Sequence, residues 1–288
     1  MNETHISLGI HDAFKDVASW NNETSEAWIT ALNLRSTSAD QIELRARLID
    51  LARLASGDIA LEIGCGTGAL LCDLAGIVGA KGKVIGIEPQ PALARVARQN
   101  ISSENLSAIA TVKNESAERI FVQSEIAAAC FAQTVLIHFP EQLLKKSLME
   151  MVRVVRRGGR IISVDQDGDT WTIDHPDREL TRRIVRFNSD QRFADGWTGR
   201  RLRRLFRGAG LEEIEVQVLV QTDTDKSSYL FGMAERIATT AAEVGEITID
   251  ECQNWLEQLN RLAEEGNFFS SINYYICAGT RNNSVPNK

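Results

Sequence analysis

The chain has 288 residues, 43% hydrophobic and 25% charged, the balance of an ordinary globular protein with length enough for one large domain and a sizeable core. Its 39 acidic against 32 basic side chains leave a net charge of −7, which argues against a general nucleic-acid binder, since such proteins are basic. The longest uncharged run, Ile126 to Pro140, is about 15 residues and short of the ~20 that cross a bilayer, so no membrane partner is expected.

The first segment, residues 2–35, spaces Phe14, Val17, Trp20, Trp28, Ile29 and Leu32 among polar residues and predicts one or two short helices outside the core. Ile42, Leu44, Leu48, Ile49, Leu51, Ala52 and Leu54 follow a helical period, with Ser38 or Asp40 as the cap. Strands and helices then alternate. Strands are predicted at 58–63, 83–88, 108–112, 126–132 and 160–164, and helices at 68–78, 91–100 and 141–156, the last ended by Gly158-Gly159. Near-continuous apolar strands joined by helices mean a parallel sheet covered on both faces, with right-handed crossovers. After Asp165 the pattern changes: 166–197 shows no clear strand. A helix at 198–207, a strand at 211–221, a helical stretch at 226–266 and a final strand at 268–280 follow, before a polar tail.

The cysteines at 65, 72, 130, 252 and 277 form no C-x-x-C pair. They read as free thiols of a reducing, cytoplasmic compartment, with no cysteine metal site. Met1–His5 carries no basic region followed by an apolar one, so no signal peptide is expected.

The most informative run is Ala60-Leu61-Glu62-Ile63-Gly64-Cys65-Gly66-Thr67-Gly68. An apolar strand ends in an acid, then glycines stand at alternate positions before a helix. Glycine tolerates positive φ and lets a ligand approach the backbone, and the helix N-terminus offers free N–H groups. Glu88 ends the next strand roughly 20 residues on, where an acid can accept from both ribose hydroxyls of an adenosine ligand. NAD and S-adenosylmethionine both fit that. The spacing is G-x-G-x-G rather than G-x-G-x-x-G, and Glu62 beside the loop would repel a pyrophosphate but tolerate a cationic sulfonium.

These residues resemble the class I S-adenosylmethionine-dependent methyltransferases. Leu61–Gly68 looks like their first motif and Gly86-Ile87-Glu88-Pro89 their second. Thr134–Phe139 looks like the segment after the fourth strand, Val154–Arg160 the turn into the fifth, and Gly199–Leu211 the late helix. The style is that of the ubiquinone/menaquinone-type and natural-product small-molecule branch, and the match covers about 40–221. The resemblance implies an α/β fold: a Rossmann-like, doubly wound, mostly parallel seven-stranded sheet with an antiparallel last strand, plus helical lid segments. The expected organisation is a helical lid at 1–39, a cofactor-binding core at 40–165, a lid insertion at 166–197, core again at 198–225, a helical insertion at 226–267, and the last strand and tail at 268–288.

The implied cofactor is S-adenosylmethionine. Gly64, Gly66 and Gly68 would pass under its methionine part, with Cys65 contributing backbone, and Glu62 would order the loop near the amino group. Glu88 would take the ribose, with Pro89 and Gln90 flanking the adenine and Ser116 and Ala117 along its edge. Gln133 and Thr134 would face the carboxylate or the methyl group. Many relatives have Asp where Ser116 stands, and Glu115 could substitute.

His138 follows the fourth strand at the substrate mouth and is a candidate general base, as imidazole titrates near neutrality. His175, in the lid insertion, is a second candidate, and Asp165 at the fifth strand's end a third. Asp165-Gln166-Asp167-Gly168-Asp169 resembles the start of a calcium loop, but its sixth position is Thr170 and its twelfth Pro176, so that reading fails and no metal is assigned. Gln166, Trp20, Trp171, Phe193 and Trp197 are candidate substrate contacts, since aromatics can shape a dry pocket. Ten arginines fall between 178 and 207; a phosphate or carboxylate substrate could use some, while solvated ion pairs are the plainer reading.

The expected activity is methyl transfer to a small-molecule acceptor, natural-product or isoprenoid/aromatic in type, with self-association left open. Methylation of a macromolecule is a rival; Ala132-Gln133-Thr134-Val135 lacks the polar-Pro-Pro-aromatic motif of nucleobase amino-methylating enzymes. A cofactor-binding cyclase or binding module without methyl transfer is another.

Overall fold

Five apolar segments build the parallel part of the sheet in the computed structural model, which describes residues 20–282: β1 (Ile59–Ile63), β2 (Lys83–Ile87), β3 (Ala110–Lys113), β4 (Ala127–Gln133) and β5 (Val155–Gln166). The expectations for Phe14, Val17 and the tail beyond Asn282 lie outside the described residues. β7 (Leu211–Asp223) and β8 (Ser270–Arg281) complete the main sheet, β8 running antiparallel between β5 and β7. With the two-residue β6 (Thr172–Ile173), the order is β3-β2-β1-β4-β5-β8-β6, and β7 also pairs with β8.

Successive strand residues bury on opposite faces. Ala60, Ala129, Phe131 and Ile162 join one core, and Leu61, Cys130, Ala132 and Ile161 join the other. The first core lies under α2 (Ala39–Ala52), α3 (Ala69–Val78), α4 (Pro91–Ser103), α6 (Arg178–Phe187), α8 (Tyr229–Glu243) and α9 (Ile249–Glu264). The second lies under α5 (Glu141–Val154) and α7 (Thr198–Gly208). Period-two burial on both faces is why the strands read as continuous apolar runs. α1 (Asn22–Ser36) is capped by the Asn21 side chain and α2 by Ser38.

The sheet has eight strands among the described residues where seven were expected. β6 adds only the Thr172–Ser271 and Ile173–Ser270 pairs, too short for a periodic signal. The α5 helix stops at Val154, not 156, because Val155 already pairs with Ala127. The glycines lie inside β5, in the irregularity between the Ala127–Val155 and Ala129–Arg160 pairs. Gly158 takes φ +72° there, and a Cβ on Gly159 would sit 2.7 Å from the Ala128 carbonyl oxygen. The helical stretch from 226 is two helices, broken at Gly245 and restarted by a Thr248–Glu251 capping box. All five cysteines are free, and no helix among the described residues is long and apolar enough to cross a membrane.

Candidate active site

The three loop glycines all need positive φ: Gly64 at +63°, Gly66 at +54° and Gly68 at +86°. A side chain at Gly64 would also meet Val135 Cγ2 at 2.5 Å, so the loop is held tight against the end of β4. Glu88 Oε2 accepts from the Gly66 N–H at 2.9 Å and its Oε1 from the Gln90 N–H at 2.9 Å. Burial outweighs these two bonds and pushes the Glu88 carboxyl up to about 7. Glu62 is buried too, and its Oε2 has no hydrogen-bond partner among the described residues. Burial first, then the charge of Glu88, holds its carboxyl well above the usual range.

Glu62, Gly64, Cys65, Gly66, Glu88, Pro89, Ser116, Ala117, Gln133 and Thr134 all border one cavity of about 290 Å³. Thr134 is a β-branched residue at φ +52°, a strained conformation held by its N–H bond to the Val164 carbonyl at 2.7 Å.

The opposite wall comes from three distant segments. α1 contributes Trp28, Leu32 and Arg35. The π-helical turn Asn188–Arg192 after α6 contributes Asn188 and Arg192, with Phe193 following. α8 contributes Tyr229, Met233, Arg236 and Ile237. His138, in the short helical turn after β4, and Gln166, at the end of β5, border the same space. The His138 ring meets Phe193 edge-on at 5.5 Å.

Residues 60–159 match a methyltransferase domain family. The chain is 28% identical over 250 residues to an uncharacterized 37.1 kDa protein in transposon TN4556 of Streptomyces fradiae, covering 86% of this chain and 70% of that one. It is 28% identical over 121 residues to a probable cobalt-precorrin-6B C(15)-methyltransferase (decarboxylating) of Sulfurisphaera tokodaii, covering 42% of this chain and 59% of that protein's length. The fold matches a putative methyltransferase from Bacillus halodurans C-125 with a TM-score of 0.59 at 17% identity, over 83% of this chain and 98% of that one. A methyltransferase domain thus spans residues 60–159 of the chain.

The donor set fits S-adenosylmethionine. A buried carboxyl oxygen on Glu62, without a hydrogen-bond partner among the described residues, sits beside a loop in which Gly64 leaves no room for a Cβ. That suits a ligand bringing a cation close to backbone.

Several expected site residues lie elsewhere. The Gln90 side chain caps α4, accepting from the Ala92 N–H, and reaches Ser25 at 3.3 Å instead of the cavity. Gly68 packs against Ala97 at the start of α3. Asp165 is fully buried and accepts from the Ile137 N–H at 3.2 Å and the Ser163 hydroxyl at 3.4 Å, so it fixes the turn carrying His138. Burial pushes its carboxyl up to about 8.

His175 stacks on Trp255 with ring centroids 4.8 Å apart, its Nε2 is 3.2 Å from the Trp255 carbonyl oxygen, and its Nδ1 accepts from the Asp177 N–H. Trp171 is core, donating to Ser270 at 3.0 Å. Trp197 is 46% exposed under the Arg200 guanidinium. Trp20 stacks on Trp28 at 6.1 Å, and Trp28 borders the cavity. Sequence reasoning left out Trp28, Arg35, Asn188 and the α8 residues. The only signal for α8 was the i, i+4, i+7 spacing of Tyr229, Met233 and Arg236.

Proposed function

We propose that this methyltransferase moves a methyl group from S-adenosylmethionine to a small natural-product-type acceptor with an aromatic or isoprenoid-like body. The observation carrying this reading is that the glycine loop, Glu62 and Glu88 share one cavity with an apolar wall of Leu32, Phe193, Met233 and Ile237. A cavity of about 290 Å³ closed by α1 and α8 suits a small molecule better than a macromolecule. The similarity over 121 residues to a probable cobalt-precorrin-6B C(15)-methyltransferase supports a small acceptor.

In this reading Glu88 receives the ribose hydroxyls, and Glu62 with the Gly64–Gly66 backbone receives the methionine amino end. Pro89, Ser116 and Ala117 flank the adenine, and Gln133 and Thr134 face the carboxylate or the methyl group. The bound cofactor supplies an electrophilic methyl group on a sulfonium. The chain's own residues orient the acceptor and keep water out, which strengthens every electrostatic contact inside. His138 takes the proton from an oxygen or nitrogen acceptor as the methyl arrives.

The test is incubation with candidate acceptors and mass analysis of the product. A gain of one methyl is expected; an isomerised product, or cofactor binding with no methylated product, would sink the reading. His138→Gln should lower kcat about 100-fold on an oxygen or nitrogen acceptor; an unchanged kcat removes His138 from proton transfer.

A further inference from the structure

The covered half of the cavity holds two guanidinium groups that lack a carboxylate partner among the described residues. Arg35, near the end of α1, and Arg236, two turns into α8, both border the cavity. Their guanidinium carbons lie 5.9 and 5.6 Å from the centroid of the Tyr229 ring. Among the described residues neither forms a salt bridge. Arg45, which borders the same cavity, is by contrast closed on Asp73 at 2.5 Å and on the Ser36 carbonyl at 2.8 Å.

The carboxyl that feels Arg35 is Asp165, which does not border the cavity and is already committed to the Ile137 N–H and the Ser163 hydroxyl. Burial pulls the Arg236 pKa down, against the pull of Tyr229 and of Glu235. A cation taken from water and left without an anion is costly. In a chain of net charge −7 acids were available to neutralise it.

A second, independent observation stands beside the arginines. Asn188 is fully buried and borders the cavity, and among the described residues neither its amide nitrogen nor its amide oxygen has a hydrogen-bond partner. Buried amides are almost always paired. One donor amide and two fork-shaped guanidinium donors in one pocket form the set that carboxylate and phosphate oxygens accept from.

We propose that Arg35, Arg236 and the Asn188 amide hold an anionic group, carboxylate or phosphate, on the methyl acceptor, whose apolar body lies against Leu32, Met233 and Phe193. This rests on the methyl-transfer reading for the word acceptor, but the anion site itself does not depend on it. The Tyr229 ring spaces the two guanidiniums, and the anion fixes which end of the acceptor faces the glycine loop.

The experiment is titration calorimetry of the full chain with inorganic phosphate, benzoate and neutral benzamide, with and without S-adenosylhomocysteine. Phosphate or benzoate is expected to bind and benzamide to bind at least tenfold more weakly; whichever anion binds tighter names the group. Arg35→Gln, Arg236→Gln and Asn188→Leu should each weaken the anion about tenfold or more, while circular dichroism stays that of the folded chain. Arg236→Gln should also raise the melting temperature in anion-free buffer, because a buried uncompensated cation is removed.

Equal binding of benzamide, or anion affinity unchanged in the arginine variants, overturns the proposal. Arginine-dependent anion binding in a chain that takes no S-adenosylhomocysteine supports the anion site and overturns the methyl-transfer reading instead.

Discussion

Lowering the pH from about 8 to about 6 should weaken S-adenosylhomocysteine binding about tenfold, and Glu88 is the cause. Its buried carboxyl accepts two backbone N–H groups yet is pushed up to about 7 by burial. Ribose hydroxyls donating to Glu88 favour its ionised form, so the ligand draws the carboxyl back toward the ordinary range. With a free-state pKa of about 7, roughly nine-tenths of the molecules carry the proton at pH 6 and roughly one-tenth at pH 8. The affinity difference follows from that ratio.

Calorimetry in buffers of different ionisation enthalpy should find about 0.8 more protons released per ligand at pH 6 than at pH 8. The same raised pKa makes the free protein less stable as pH rises. The native state holds the Glu88 proton between the unfolded value near ~4.3 and about 7, so up to about 4 kcal/mol is lost across that window and none above it. Glu88→Gln should abolish the pH step in binding. A proton count and an affinity that stay flat from pH 6 to 8 in the wild type would refute the assignment of Glu88 to the ligand.

Gly64→Ala places a Cβ 2.5 Å from Val135 Cγ2 at φ +63°; it should cost about 2 kcal/mol or more by thermal melting and weaken S-adenosylhomocysteine at least tenfold. Asp165→Asn keeps an acceptor for the Ile137 N–H but cannot ionise. Since the wild-type carboxyl is pushed up to about 8, its stabilising proton is progressively lost as pH rises from ~4 through 8. The variant should therefore gain stability relative to wild type across that range, read from denaturant midpoints; parallel pH curves would contradict it. His175→Ala removes the stack on Trp255 and the bond to its carbonyl. A loss of about 2 kcal/mol is expected with kcat/KM within twofold; lost turnover at unchanged stability would return His175 to the chemistry.

The two halves of this cavity were unequally legible, and chain distance is the reason. The cofactor half is assembled from strand ends and the turns that follow them. Gly64 to Gly66 follow β1, Glu88 follows β2, and Gln133 and Thr134 close β4. A parallel sheet brings these carboxyl ends to one edge whatever the rest of the chain does. Local spacing therefore carried Glu62, Glu88 and His138 to the same place in the fold. Ser38 as the cap of α2 and Pro91 at the start of α4 were likewise local facts.

The acceptor half has no such rule. α1, the turn at Asn188 and α8 are separated by some 150 and 40 residues, and no local pattern states that Arg35 and Arg236 approach one tyrosine ring. Helical periodicity reads α8 correctly as a helix with an apolar face. It cannot say that Leu230, Ala234 and Ala238 enter the core while Tyr229, Met233 and Arg236 face a cavity.

The arginine-rich stretch shows the same limit from the other side. Arg183 closes on Glu251 at 2.6 Å, Arg200 and Arg201 close on Asp167 and Asp195, and Arg182 and Arg186 pair with Glu179 and Asp190, so much of that charge is spent on ion pairs. The basic residues offered to a ligand come partly from outside it. It follows that variation confined to α1, the Asn188 turn and α8 can change what is methylated without touching the sheet edge that receives the cofactor.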